Sequence, residues 1–290
     1  MSDDLRAQAI ALYDRYTHEG LDRRGFMAEM TRIAGSTAAA TALVAGIAAD
    51  PAFAAIVPAD DRRLRTQETE WNAAGGRRLK GYLARPASGS VRGAVMVIHE
   101  NRGLTEHIRD VARRAALAGH LALAPDFLSG VGGSTPADQD EARRLIGALD
   151  LPATVADAVS TLDWLSTEGG GQVGAVGFCW GGAMVNRVAV VAGDRLDAGV
   201  VFYGPAPAPA EAAKVTAPLL IHLAEKDERV NATALPWVLA LRRAGKDVRA
   251  INHQGANHAF HNDTSAERYD ANAAARAWRE TLGFFRQHLG

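Results

Sequence analysis

The sequence predicts an α/β fold with a mostly parallel central sheet and helices on both of its faces. Short apolar runs typical of buried strands alternate along the chain with longer segments of helical periodicity. Such alternation gives a parallel sheet covered on both faces. Two further strands come first and are separated by Ala-Ala-Gly-Gly, which indicates an antiparallel hairpin at one edge of the sheet.

The individual elements follow from these patterns in chain order. Strands are predicted at Thr66 to Trp71, Leu79 to Arg85, Gly93 to His99, Leu121 to Pro125, Gln172 to Gly177, Ala198 to Tyr203, Pro218 to Leu223 and Val248 to His253. Helices are predicted at Glu106 to Ala118, Asp138 to Leu149, Thr154 to Ser166, Gly181 to Val191, Ala232 to Ala244 and Ala266 to His288. In such a sheet, functional groups collect at the carboxyl ends of the strands.

Composition narrows the class of protein. Apolar residues make up 48% of the 290 residues and charged residues 22%, which is typical of a globular domain with a sizeable core. The formal net charge of -1 gives no basis for a nucleic-acid partner. The single cysteine excludes an internal disulfide. A lone cysteine is more often a buried small apolar residue than a nucleophile, so its neighbours must decide its role.

Those neighbours form a nucleophile motif. Gly177-Phe178-Cys179-Trp180-Gly181-Gly182 lies where a predicted strand meets a predicted helix. A nucleophile with glycines two positions on either side is the pattern of a sharp strand-to-helix turn, with Cys179 here in place of serine. The glycines are needed because strand and helix approach closely. The helix N-terminus also favours a thiolate.

Two partners for Cys179 follow in the expected order, acid before histidine. Asp227 comes after the strand Pro218 to Leu223, and His258 follows the strand Val248 to His253. Both are therefore predicted at the carboxyl edge of the sheet, where Cys179 also lies. Taken alone, each residue could be a solvated loop aspartate or a structural histidine. Together, Cys179, Asp227 and His258 predict an α/β-hydrolase with a cysteine triad.

At this point the chain resembles the dienelactone hydrolase family, the carboxymethylenebutenolidases. The resemblance covers about residues 94 to 289. The motifs that carry it are His99-Glu100-Asn101-Arg102-Gly103-Leu104, Ala124-Pro125-Asp126, Gly177-Phe178-Cys179-Trp180-Gly181-Gly182, Phe202-Tyr203-Gly204 and Asn257-His258-Ala259-Phe260. It implies a hydrolase that opens a lactone or ester through a thiol acyl-enzyme and needs no cofactor.

The resemblance also implies roles for further residues. Glu100 corresponds to a glutamate that contacts the resting nucleophile, and the backbone N–H groups of Trp180 and Asn101 would form the oxyanion hole. Tyr203 corresponds to a pocket tyrosine. For Glu100 the alternative is a loop carboxylate bonded to nearby N–H groups.

Aromatic residues next to the motifs are candidates for the pocket wall. Trp180 and Phe260 flank the nucleophile and the base, and Phe260 and Tyr203 are predicted to contact substrate. Plain core packing is the alternative for all three aromatic side chains.

One departure from the family concerns the substrate. The family binds the carboxylate of dienelactone with two arginines, one soon after the Pro-Asp strand end and one four residues past the histidine. Here the segments read Pro125-Asp126-Phe127-Leu128-Ser129-Gly130 and His258-Ala259-Phe260-His261-Asn262, without either arginine. Arg102 is the candidate replacement. A general carboxylesterase or thioesterase acting on an uncharged substrate is therefore the alternative function.

Two other classes remain as alternatives. A metal hydrolase could recruit His99, His258 and His261, but it would leave the nucleophile turn unexplained, so no metal is predicted. A non-catalytic binding protein on the same scaffold would not need Cys179, Asp227 and His258 together. The sequence does not indicate an oligomeric state.

The first 59 residues are predicted to form a separate leader, and residues 60–290 the hydrolase domain. Ser2 to Gly20 could form a short amphipathic helix. Arg23-Arg24-Gly25-Phe26-Met27 resembles a twin-arginine export motif, followed by a weakly apolar run from Ile33 to Ala49 and a small-x-small site at Ala52-Phe53-Ala54. Export to the periplasm by the twin-arginine machinery is the prediction, with a mature chain that starts near Ala55. The alternative is a cytoplasmic protein that retains an extension packed on the domain or on a partner subunit.

Overall fold

The computed structural model describes residues 8, 12, 23–41, 56–169, 171–265 and 267–290. The strands are β1 (Leu64–Asn72), β2 (Arg78–Pro86), β3 (Ala94–Ile98), β4 (Leu121–Asp126), β5 (Val173–Phe178), β6 (Ala198–Phe202), β7 (Leu219–Ala224) and β8 (Val248–His253). The helices are α1 (Arg23–Ala34), α2 (Glu106–Leu117), α3 (Gln139–Gly147), α4 (Leu151–Gly169), α5 (Trp180–Val191), α6 (Glu228–Arg243) and α7 (Ala271–His288). Short 3-10 helices lie at Ala74–Gly76, Phe127–Val131, Gly193–Arg195 and Pro209–Lys214.

The strands form a single sheet in the order β1-β2-β4-β3-β5-β6-β7-β8. The neighbours from β4 to β8 pair in parallel, whereas β1 pairs with β2, and β2 with β4, in the antiparallel sense. The predicted fold class, including the antiparallel hairpin at one edge, is confirmed. This is the sheet of an α/β-hydrolase.

Helices cover both faces of the sheet because its central strands are apolar on both sides. Along β3, Val95 and Val97 belong to one buried cluster with α2 and α7, whereas Met96 and Ile98 belong to a second cluster with α4, α5 and α6. Successive side chains of a strand point to opposite faces, so one short apolar strand supplies two cores. The carboxyl edge of the sheet, between the helix layers, is left to the loops.

Some element boundaries differ from the sequence prediction for a local reason, helix capping. The helix predicted from Ala232 begins at Glu228, because Asp227 accepts a hydrogen bond from the Val230 N–H at 3.1 Å. The helix predicted from Ala266 begins at Ala271, because Asp270 accepts from the N–H groups of Asn272 and Ala273, each at 3.0 Å. The predicted helix within Ser2 to Gly20 lies outside the described residues, apart from positions 8 and 12.

No single helix in the described ranges is long and apolar enough to cross a membrane. The pair α3 and α4 meets the length and composition criterion only when its two members are combined, and they are bent by 97° at their junction.

A buried ionic cluster joins α2 to the loop before α7 and to the segment that precedes β1. Arg114 donates to the carboxylates of both Asp110 and Asp263, and His107 Nδ1 lies 2.7 Å from Asp263 Oδ1. Asp110 also accepts the N–H groups of Ile56 at 3.1 Å and Val57 at 2.8 Å. Burial alone would raise the pKa of Asp263, but its bonds to His107 and Arg114 hold that pKa well below its usual range.

Replacing Asp263 by alanine should lower the free energy of unfolding by about 3 kcal/mol, because His107 and Arg114 lose a partner inside the protein. Urea unfolding at neutral pH measures the loss. A control is Glu141→Ala, which removes a solvent-exposed ion pair with Arg144 and should change the free energy of unfolding by less than about 1 kcal/mol. Since the pKa of Asp263 is lowered, its contribution is present above the ordinary aspartate pKa of about 3.9 and is lost as the pH falls further. Equal losses in the two variants would contradict this account of the cluster.

Candidate active site

Cys179 occupies the sharp turn between β5 and α5. Its backbone has φ 54° and ψ -112°, a conformation that costs a residue with a side chain on the order of 1–3 kcal/mol. The turn is held by its own backbone, since the Cys179 N–H donates to the Phe202 carbonyl at 3.0 Å and its carbonyl accepts from the Ala183 N–H at 3.0 Å. The side chain is buried, with 6% of the residue exposed.

The glycines around Cys179 are required by close backbone contacts. A Cβ on Gly177 would lie 2.1 Å from the carbonyl oxygen of Gly181, and one on Gly181 would lie 2.3 Å from that of Ile98. Real Cβ atoms do not approach backbone oxygens this closely, so neither position accepts alanine without a shift of the chain. The crowding predicted from the motif is therefore present between β5, α5 and the end of β3.

His258 and Asp227 lie together at the carboxyl ends of β8 and β7. His258 Nδ1 is hydrogen-bonded to Asp227 Oδ2, while Asp227 Oδ1 accepts the N–H of Val230 at 3.1 Å. Both side chains are buried. Burial raises the pKa of Asp227, but the bonds from His258 and Val230 outweigh it and lower that pKa overall. A carboxylate therefore faces the ring and fixes its orientation.

Cys179 also acts on His258 through its charge. Burial alone would lower the pKa of His258, yet the negative charge of the Cys179 sulfur and the hydrogen bond to Asp227 raise it to about 10. The structure brings the three predicted triad residues, Cys179, Asp227 and His258, into one connected group.

Glu100 follows β3 and is buried near this group. Its Oε2 accepts a hydrogen bond of 2.6 Å from Asn262 Nδ2, and its Oε1 has no hydrogen-bond partner among the described residues. The sequence reasoning did not identify Asn262. The available signal was its place four residues past His258, where the family pattern has an arginine.

The two predicted oxyanion donors both reach the cleft that contains Cys179. Trp180 is the first residue of α5 and Asn101 follows Glu100, and both residues line the cleft. The first N–H groups of a helix have no acceptor inside the helix, so the Trp180 N–H is available to a ligand oxygen. The Trp180 ring is stacked on His99, with 5.1 Å between the ring centroids, which holds this wall in place.

The predicted substrate contacts are not found in the cleft wall. Phe260 is fully buried, and its ring packs against Tyr203 at 5.3 Å. Tyr203 is fully buried as well and lies against the His258 ring at 5.1 Å, so it supports the histidine from behind. Arg102 is not among the residues that line the cleft. Core packing, the alternative for the two aromatic residues, describes their surroundings here.

The cleft above Cys179 has a volume of about 480 Å³, which suits a small organic molecule. Three arginines reach it: Arg143 from α3, Arg187 from α5 and Arg229 from the start of α6. The sequence analysis identified none of them. Arg187 and Arg229 follow Cys179 and Asp227 by short intervals and could have been found, whereas Arg143 is brought in only by the packing of α3. The complete lining is Asn101, Arg143, Ile146, Gly147, Leu151, Cys179, Trp180, Ala183, Met184, Arg187, Pro205 and Arg229.

Metal chemistry has no candidate ligand group in the described ranges. No three His, Cys, Asp or Glu side chains of these residues are arranged to hold a metal ion. His99, one of the residues considered for such a site, has its Nδ1 2.7 Å from the Glu100 carbonyl oxygen, and its burial lowers its pKa.

Comparison with known proteins identifies the family. The model of the dienelactone hydrolase family matches residues 79–289. This chain belongs to the dienelactone hydrolase family. It is 32% identical over 224 residues to protein usf of Aquifex pyrophilus, a match that covers 74% of this chain and 95% of that protein. It is 30% identical over 233 residues to a provisionally named carboxymethylenebutenolidase of Escherichia coli K12, covering 74% and 84%.

A solved structure supports the same conclusion. A provisionally named dienelactone hydrolase of Klebsiella pneumoniae superposes with a TM-score of 0.70 at 28% sequence identity, over 77% of this chain and 99% of that one. The dienelactone hydrolase match contains Cys179, Asp227, His258 and the whole cleft wall, whereas α1 and β1 precede it. The chain is thus a dienelactone hydrolase-like hydrolase, and its first 78 residues are outside the family match.

The Cys179–His258 pair predicts a distinctive pH dependence of alkylation. In the wild type, iodoacetamide should alkylate Cys179 faster at pH 7 than in His258→Gln, because an imidazolium with a pKa raised to about 10 stabilises negative charge on the neighbouring sulfur. In His258→Gln the rate should rise about tenfold per pH unit until the ordinary thiol pKa of about 8.5. Mass spectrometry follows the reaction, which has one target because the chain has 1 cysteine.

The matched control for alkylation is His288→Gln, which removes an imidazole at the end of α7. Its profile should follow that of the wild type. Equal alkylation rates in the wild type and in His258→Gln at pH 7 would contradict this effect of His258 on the sulfur.

Proposed function

We propose that this protein hydrolyses a lactone or a carboxylic ester through a thiol acyl-enzyme formed on Cys179. One observation carries the proposal: Cys179 stands at a strained turn that lines the cleft, and its charge acts on His258, which is bonded to Asp227. Acyl transfer requires a nucleophile, a base beside it and a carboxylate that orients the base.

Acylation begins with attack of the Cys179 thiolate on the carbonyl carbon. The carbonyl π electrons move to oxygen, and the resulting oxyanion is held by the N–H groups of Trp180 and Asn101. When the tetrahedral intermediate collapses, the C–O bond of the ester or lactone breaks. The leaving oxygen takes the proton of the His258 imidazolium, and a thioester to Cys179 remains.

Deacylation restores the enzyme. His258, now neutral, takes a proton from water as the water oxygen adds to the thioester carbonyl, and Asp227 stabilises the imidazolium that forms. The C–S bond then breaks and releases the carboxylic acid. The sulfur leaves as a thiolate, and the His258 imidazolium is re-formed.

Glu100 is proposed to assist acylation from the opposite side of the nucleophile. The hydrogen bond from Asn262 holds one carboxylate oxygen, which leaves Oε1 for another partner. Displacement of this carboxylate by the substrate would bring a proton acceptor beside the thiol. Glu100 would hold the thiol proton while the thiolate reacts and return it to the sulfur after deacylation. Because Asn262 is neutral, it restrains Glu100 without the charge that an arginine would add.

A general carboxylesterase or thioesterase is the second candidate. It is favoured by the absence of both family arginines, since Asn262 stands at one of the two positions. It would use the same triad. Rates on dienelactone and on neutral 4-nitrophenyl esters distinguish the two candidates.

Replacing Cys179 by alanine should abolish turnover of both substrate types, with kcat/KM reduced by at least about a thousandfold, because no nucleophile remains. Hydrolysis is measured by the release of 4-nitrophenolate and by the loss of dienelactone absorbance. Thermal unfolding of the variant checks that it is folded. Retained turnover in a folded Cys179→Ala protein would contradict the proposal, and loss of activity in a chelator would favour a metal enzyme.

We also propose that the N-terminal segment is a twin-arginine export leader and that the hydrolase acts in the periplasm. The support is the sequence alone: paired arginines, a weakly apolar run, and the small-x-small site at Ala52-Phe53-Ala54. Arg23 and Arg24 fall at the start of α1. The predicted small-x-small site lies outside the described residues.

Replacing Arg23 and Arg24 together by lysine should block export and cleavage, because the twin-arginine receptor reads both side chains. Cell fractionation and N-terminal sequencing of the wild type should give a periplasmic chain that starts near Ala55. The matched control replaces the downstream pair Arg62 and Arg63 by lysine, and its export should be unchanged. A cytoplasmic wild type with an intact N-terminus would establish the retained-extension alternative instead.

A further inference from the structure

Among the arginines that line the cleft, Arg187 is the nearest in sequence to Cys179. It lies on α5, two turns after Cys179, and its Nη1 donates to the carbonyl oxygen of Ala183 at 3.1 Å. Ala183 in turn donates its N–H to the Cys179 carbonyl at 3.0 Å. The Arg187 side chain therefore runs back along α5, as long helical side chains do. Its guanidinium lies beside the carbonyl end of the first turn of α5.

The charge of Arg187 is not balanced by the part of the chain that the structure describes. Two other arginines nearby have carboxylate partners: Arg143 pairs with Asp140 at 3.4 Å, and Arg195 pairs with Asp163 at 3.7 Å. The hydrogen bond of Arg187 is to a neutral carbonyl. Its half-buried position lowers the pKa of the guanidinium through desolvation. A half-buried cation that faces a cleft and has no counter-ion is costly unless a ligand supplies the anion.

A second arginine adds positive charge to the same cleft. Arg229 is exposed and lines the cleft two residues after Asp227. No ion pair joins it to a carboxylate within the described ranges. Arg187 and Arg229 approach the cleft from α5 and α6, away from the two positions where the family pattern has its arginines.

We propose that Arg187, assisted by Arg229, binds an anionic oxygen group of the substrate, a carboxylate or a phosphate. The inference rests on the proposed function and names its substrate class: esters or lactones that carry a negative charge a few bonds from the reacting carbonyl. The two arginines give the charged group a partner, with Arg187 as the specificity-determining residue.

The test compares anionic and neutral esters of equal chain length. Mono-4-nitrophenyl succinate, glutarate and adipate are measured beside the corresponding neutral 4-nitrophenyl alkanoates, after subtraction of the uncatalysed rates. For the chain length at which the wild type has its highest ratio of kcat/KM for the anionic ester to kcat/KM for the neutral ester, that ratio should fall roughly tenfold or more in Arg187→Met, the usual effect of losing a charged hydrogen bond. Arg187→Lys should retain part of the ratio. The matched control Arg195→Met should keep it.

Binding measurements make the result independent of turnover. Isothermal titration calorimetry measures the binding of glutarate and of inorganic phosphate at equal ionic strength. The proteins compared are Cys179→Ala and the double variant that also carries Arg187→Met. Weaker glutarate binding in the double variant supports a carboxylate, and weaker phosphate binding supports a phosphate. Equal binding of both anions, or an unchanged kcat/KM ratio in Arg187→Met, overturns the inference. If the inference fails but Cys179→Ala still abolishes turnover, the proposed function remains intact. If the wild type hydrolyses no ester, that result counts against the proposed function alone.

Discussion

The close approach of β5 and α5 to the end of β3 is the constraint on which the site depends. The backbone atoms of Gly177, Gly181 and Ile98 lie so near one another that a single added methyl group would collide with a carbonyl oxygen. This contact forces Cys179 into its positive φ and turns its side chain toward the cleft. The strain is held by the hydrogen bonds of the surrounding sheet, because one residue could not maintain it against several kcal/mol of relaxation.

The same sheet places the other two members of the triad, with a further positive φ of 63° at Ala259, directly after His258. Asp227 and His258 follow β7 and β8, which are neighbours, so their loops meet at one edge. Asp227 does two tasks, since one of its oxygens caps α6 and the other is bonded to His258. The helix that Asp227 caps is joined to α5 by a bond from Trp237 Nε1 to Asn186 Oδ1 of 3.1 Å. Nucleophile and acid are thereby tied to one rigid layer.

Much of this arrangement was predictable from sequence, and the exceptions have physical reasons. Strands and helices can be predicted because the spacing of apolar residues along the sequence indicates the type of element. The triad residues can be predicted because each follows a strand. The start of α6 was placed late, since the capping role of Asp227 was not considered. Tyr203 is expected in the pocket from the family resemblance and Phe260 from its nearness in sequence to His258, yet both are buried. The position of Arg143 in the cleft could not be predicted from sequence, because only the tertiary packing of α3 brings it there.

The anchoring of Ile56 and Val57 has a consequence for how this chain could be processed. Their N–H groups satisfy a buried carboxylate, that of Asp110, and an unsatisfied buried carboxylate is costly. A peptidase that cut after Ala54 would leave Ala55 as a spacer of one residue before the anchored backbone. A cut two residues further on would remove the Ile56 donor and convert Val57 into a charged terminus beside that carboxylate. The ionic cluster of α2 thus defines the shortest N-terminus that the folded domain can carry without rearrangement.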